Sequence, residues 1–138
     1  MWKFVRRVLG LTVGMFVGAS VNMALIYAGH GLFPPPEGVD IARIETIDAH
    51  LGEYTPMQFA VPFVAHAAGT LIGAIVATIV GGYKGRTAGI IVGLFFLAGG
   101  IMMVRQMPNT PLWFAVVDLG FAYIPMGLVG WWIVRGRR

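Results

Sequence analysis

The chain reads as an all-α membrane protein: four transmembrane helices in an antiparallel bundle, with a Pro-rich extracytoplasmic loop and a short amphipathic helix between the first two. Three observations predict this. Of 138 residues, 57% are hydrophobic and 12% charged, with a mean hydropathy of +0.77. Soluble domains carry about 25% charge. The apolar residues also gather in four stretches, 4–27, 57–81, 87–105 and 112–134, each near the roughly 20 residues that cross a bilayer. Finally, the charges are sorted by segment. Lys3, Arg6 and Arg7 precede the first stretch, Lys84 and Arg86 join the second and third, and Arg135, Arg137 and Arg138 follow the fourth. The 28–56 connection holds Glu37, Asp40, Glu45, Asp48 and Glu53 against Arg43 alone.

That sorting is the positive-inside pattern. It puts both termini and the 82–86 turn in the cytoplasm and points to a bacterial inner membrane. The net charge of +4 is therefore a topology signal, and nucleic acid is not an expected partner. Four spans and their connections use nearly all of 1–138, so a single domain with no soluble catalytic module is expected. The chain has no cysteine, which removes disulfides, thiolate nucleophiles and Cys-based metal sites.

The first stretch imitates a secretory signal, WKFVRR followed by VLGLTVGMFVGA. The apolar run continues through VNMALIY, so a retained helix is the reading. Trp2, Phe4 and Tyr27 mark its two membrane surfaces, as Trp113, Trp131 and Trp132 mark those of the fourth span. Pro34, Pro35 and Pro36 forbid a helix at the start of the long loop. Gly38 to about Gly52 then reads as a short helix with Ile41, Ile44, Ile47 and Leu51 on one stripe. It serves as a spacer, lies on the outer membrane surface or caps the bundle.

The second span carries Ala65, Gly69, Gly73, Ala77 and Gly81 at spacings of four. The first carries Gly10, Gly14 and Gly18, and the third Gly85, Gly89 and Gly93. Such stripes let helices approach closely in lipid, within one chain or in a homodimer or larger membrane complex. The tight GYKGR turn makes spans two and three a hairpin. In QMPNTP, Pro111 suits the first turn of the fourth span, with Asn109 or Thr110 as its N-cap. Pro62 and Pro125 predict kinks.

A faint tandem repeat pairs Arg7, Gly10, Val13, Gly14 and Phe16 with Arg86, Gly89, Val92, Gly93 and Phe95. It also pairs Phe63, Gly69, Lys84, Gly85 and Arg86 with Phe114, Gly120, Arg135, Gly136 and Arg137. In that alignment His66 falls beside the position of Asp118, and the two approach each other across a pseudo-two-fold axis.

His66 and Asp118 are the ionisable groups placed where a membrane tolerates them least, which makes each a functional candidate. Helical rise puts Asn22 roughly 8 Å, Asp118 roughly 10 Å and His66 roughly 14 Å from the outer ends of their helices. Thr70 lies one turn below His66, and Arg105 ends the third span. Every polar group sits in the outer half, which speaks against a channel or relay across the whole membrane. The layer reads either as interhelical hydrogen bonding, with Asp118 paired to Arg105 or His66, or as a ligand pocket formed by His66, Asp118, Asn22, Thr70 and Arg105. One buried histidine and one aspartate fall short of a metal site; His30 and His50 add to it only if the loop folds over. No motif names a cofactor.

The expected function is that of a small integral membrane protein without catalysis, acting through the outer pocket or as an accessory subunit. A dimeric small-solute transporter or channel is the alternative. A membrane enzyme is the second alternative. It would use His66 and Asp118 on a lipid or quinone-like substrate, and it requires the pair to be within hydrogen-bond reach beside a cavity.

Overall fold

The computed structural model describes residues 1–136; Arg137 and Arg138 of the C-terminal basic cluster lie outside the described residues. The elements are α1 (Trp2–Leu32), α2 (Ile44–His50), a 3-10 turn (Leu51–Glu53), α3 (Pro56–Gly81), α4 (Thr87–Gln106), α5 (Leu112–Phe121) and α6 (Ile124–Val134). Among the described residues there is no strand. Trp2–Leu32, Pro56–Gly81, Thr87–Gln106 and Leu112–Val134 are long and apolar enough to cross a membrane, so the protein is an integral membrane four-helix bundle. Phe16, Phe95, Val116 and Phe121 are among many large apolar side chains that point outward, a surface that lipid rather than water covers.

α1 runs beyond Tyr27 to Leu32 because Gly29 to Leu32 keep the helix and proline stops it only from position 34. α3 starts on a capping box: the backbone N–H of Gln58 donates to Thr55 Oγ1, and Thr55 N–H donates to Gln58 Oε1. It continues through Pro62 and ends at Gly82, whose φ of +66° suits glycine.

The fourth span is divided rather than merely kinked. α5 ends at Phe121 and α6 begins at Ile124, with Tyr123 at φ −114°, ψ −84° between them. Pro125 lies at the start of α6 and has no N–H to give to the preceding turn. Its effect therefore falls upstream of the proline itself.

Two expectations about loops change. The short helix begins at Ile44, not near Gly38. Asp40 uses its side chain to accept from the N–H of Ala42, and the Thr46 hydroxyl donates to the Asp40 carbonyl. Those local bonds compete with helical ones. In the 107–111 connection, neither Asn109 nor Thr110 caps α5, whose N-cap is Pro111. Thr110 donates to the Met107 carbonyl. Asn109 is engaged with Asp48 through its backbone N–H and its amide, each at 2.9 Å.

α1 packs chiefly on α3, and α6 packs on both α3 and α4. Gly10, Gly14 and Gly18 face α3. A Cβ on Gly14 would come within 2.5 Å of the Gly73 carbonyl oxygen, and one on Gly89 within 2.3 Å of that of Gly127. The core falls into two parts. Towards the termini it is made of small residues, with Ala74, Ala77, Ala88 and Val92 beside Tyr83. Towards the long loop it is aromatic, with Phe59 and Phe114 beneath Leu51. Small residues let the helices close at one end. Ring-bearing residues hold them apart at the other, and a cavity remains there.

Candidate functional site

The cavity has a volume of about 240 Å³ and lies between the loop helix and the bundle. Its roof is the stripe foreseen in the sequence, since Ile41, Ile44, Ile47 and Leu51 all line it. The amphipathic helix therefore caps the bundle. Asp48 and Asn109 fasten the cap to the 107–111 connection, and Gln58 fastens the proline run by donating to the Pro34 carbonyl. The wall is mostly apolar, with Met23 and Ile26 from α1, Met103 from α4 and Met107 at its end, and Phe114 from α5.

His66 and Asp118 lie at the floor. His66 Nδ1 stands 2.8 Å from Asp118 Oδ1. Tyr123 donates its hydroxyl to Asp118 Oδ2 at 3.0 Å, and its ring stacks on His66 with centroids 5.6 Å apart. The Tyr123 hydroxyl is also 3.0 Å from His66 Nδ1. An ionised carboxylate only accepts, so Nδ1 carries the proton it gives to Asp118. This orients the ring and leaves Nε2 for the cavity. The side chain of His66 is 20% exposed, that of Asp118 only 3%. The histidine is thus the more accessible of the two, and the aspartate holds it from behind.

The structure divides the five residues expected in the pocket. His66 and Asp118 meet and line it, as the aligned repeat positions anticipated. Thr70, Asn22 and Arg105 do not. Thr70 is fully buried and donates to the His66 carbonyl one turn back, at 2.8 Å. It supports the backbone beneath the histidine instead of the cavity. Asn22 sits at the α1–α3 crossing against Gly69, and its Oδ1 is buried with no partner among the described residues. Arg105 is exposed and pairs with no acid among the described residues. The cavity stripe of α4 is Gly100, Met103 and Val104, and one further residue turns the side chain about 100° away. Asp118 takes His66 as its partner.

Sequence reasoning missed Tyr123 and placed His30 in the loop, as a candidate addition to a metal site. Tyr123 is 2% exposed in the middle of an apolar run. A tyrosine away from the membrane surface needs a partner for its hydroxyl, and Asp118 stands five residues earlier. His30 belongs to α1 rather than to the loop, lines the cavity, and has a buried Nδ1 with no partner among the described residues. Met23, Ile26 and His30 follow at spacings of three and four, so continuing the helix to the prolines places it on the cavity face. Tyr54 also lines the cavity, and burial raises its phenol above the ordinary value, keeping it a neutral donor. Among the described residues no three His, Asp or Glu groups stand close enough to hold a metal.

No protein-family model matches the chain, and comparison with curated proteins and with solved structures finds no similar one.

Proposed function

We propose that this is a non-catalytic binding protein of the bacterial inner membrane, with both termini cytoplasmic. It holds a ring-sized amphiphile with a hydroxyl-bearing head in the outer cavity. The observation that carries the reading is unspent polarity in an apolar chamber. His66, Tyr54 and His30 line the cavity, and His30 Nδ1 is buried with no hydrogen-bond partner among the described residues. Polar groups left this way are costly unless something completes them. A chamber of about 240 Å³ lies between the roughly 150 Å³ that admits benzene and the roughly 300 Å³ of the smallest drug-sized sites. A single substituted ring fits. The lone pair on Nε2 selects a ligand that donates, so a phenol or quinol head is favoured over an ether.

The test is native mass spectrometry of the purified protein, together with thermal unfolding in the presence of a decyl-substituted hydroquinone or its dimethyl ether. Wild type is expected to melt several degrees higher with the hydroquinone, little changed with the ether. His66→Leu is expected to lose the response while remaining folded. Equal responses to the two probes, or none to either, sink the proposal. The free Nε2, backed by Asp118, also favours a second reading in which His66 is a general base in a membrane enzyme. Recovery of a chemically converted probe would establish that reading in place of the first.

A further inference from the structure

At the opposite end of the molecule, the N-terminal turns of α1 and the α3–α4 turn enclose a second concavity of about 440 Å³. Lys3, Arg6, Arg7 and Lys84 line it, with Gly81 and Gly82 between them. We propose that this is a binding site for a phosphate group presented by an anionic phospholipid.

The two arginines are held in place before any ligand arrives. Arg6 donates from Nε to the Val80 carbonyl at 2.9 Å and from an Nη to the Ile79 carbonyl at 3.4 Å. It thereby serves the open carbonyls at the end of α3 and still has guanidinium donors to spare. Arg7 lies over the Tyr83 ring, 5.4 Å from its centroid, and the Tyr83 hydroxyl donates to the Arg7 carbonyl. Gly82 lets the Arg6 guanidinium come close, since a Cβ there would lie 2.9 Å from Cζ.

Among the described residues no acidic group neutralises these charges. The chain has six acidic residues, and five belong to the long loop at the other end, while Asp118 is bound to His66 and Tyr123. Four cations around one concavity with no acidic side chain nearby need an external anion. The surroundings name its source. Trp2 and Phe4 project outward beside the concavity, as aromatic residues do at headgroup level. The adjoining spans are apolar, so the acyl chains lie against them. Basic pockets between span ends recognise anionic headgroups in this way.

The experiment is lipid exchange followed by native mass spectrometry, using vesicles of phosphatidylglycerol or phosphatidylcholine with identical acyl chains. Wild type is expected to retain phosphatidylglycerol in preference to phosphatidylcholine. Each cation near the surface is worth about fivefold in affinity, so Lys3→Gln with Lys84→Gln is expected to reduce that preference by about 25-fold. Arg6 and Arg7 are left intact because they also hold the fold together. Arg86→Gln with Arg135→Gln removes the same charge outside the concavity and is expected to change the preference less than about twofold. Equal losses in the two double variants would overturn the site in favour of diffuse surface charge. An absence of preference in wild type would overturn it as well. Displacement of the lipid by millimolar inorganic phosphate would show that a free anion, not a lipid, is the occupant.

Discussion

Asp118 decides the local chemistry because it accepts from two side chains at once. With His66 on Oδ1 and Tyr123 on Oδ2, a carboxylate at membrane depth is compensated without any cation from Arg105. Removing each partner has a distinct expected outcome. Tyr123→Phe deletes one bond and leaves His66 oriented, so the loss of stability is about 1 kcal/mol, within the usual range for hydrogen bonds between membrane helices. Asp118→Leu removes the shared acceptor of His66 and the buried Tyr123 hydroxyl, leaving them only their 3.0 Å contact with each other, and a loss of about 2 kcal/mol is expected. Unfolding followed by tryptophan fluorescence in detergent measures both. A Tyr123→Phe variant as unstable as Asp118→Leu would contradict this division of roles. Asn22→Ala removes a buried acceptor that has no partner among the described residues. It is expected to change stability by less than about 0.5 kcal/mol, whereas a large loss would reveal an unseen partner.

Each element was readable to the extent that its own pattern decided it. The apolar length of the spans and the isoleucine stripe of the loop helix are local features, and they survive into the structure. Helix ends were less readable where side chains compete with the backbone, as Asp40 and Thr46 do before α2. The break between α5 and α6 could be attributed to Pro125 but not positioned, because the missing N–H is felt in the turn before it. The closest helix approaches carry the sharpest prediction at this scale. Gly89→Leu drives a side chain into the Gly127 carbonyl, and backbone cannot yield as a side chain can. A loss of about 3 kcal/mol or more is expected, and the same readout checks it. Gly85→Leu meets nothing within 4 Å, and is expected to fold normally.

In the whole molecule, two chemically different ends share one bundle. Small residues close the half near the termini, and aromatic residues prop the other half open beneath a tethered cap. The tether makes the cap separable from the spans. Asp48→Ala removes the two side-chain bonds to Asn109 and is expected to lower the main unfolding transition by less than about 1 kcal/mol. Hydrogen exchange across residues 41–53 is expected to rise clearly. Unchanged exchange in that segment would show that the isoleucine contacts alone hold the cap.

Residue order alone showed four stretches long and apolar enough to cross a membrane, which residues are anomalous at depth, and a short apolar stripe within the long loop. Those are properties of length, period and transfer free energy, and they need no neighbour to be read. Only the tertiary structure decided which anomalies meet. Thr70 and Asn22 turned to their own helix and its crossing, and Arg105 turned outward. Tyr123 and His30 came in their place, because the rotation of each helix about its axis is set by how its small residues seat against the next. A rotation of one residue, about 100°, separates a side chain that lines the cavity from one that faces lipid.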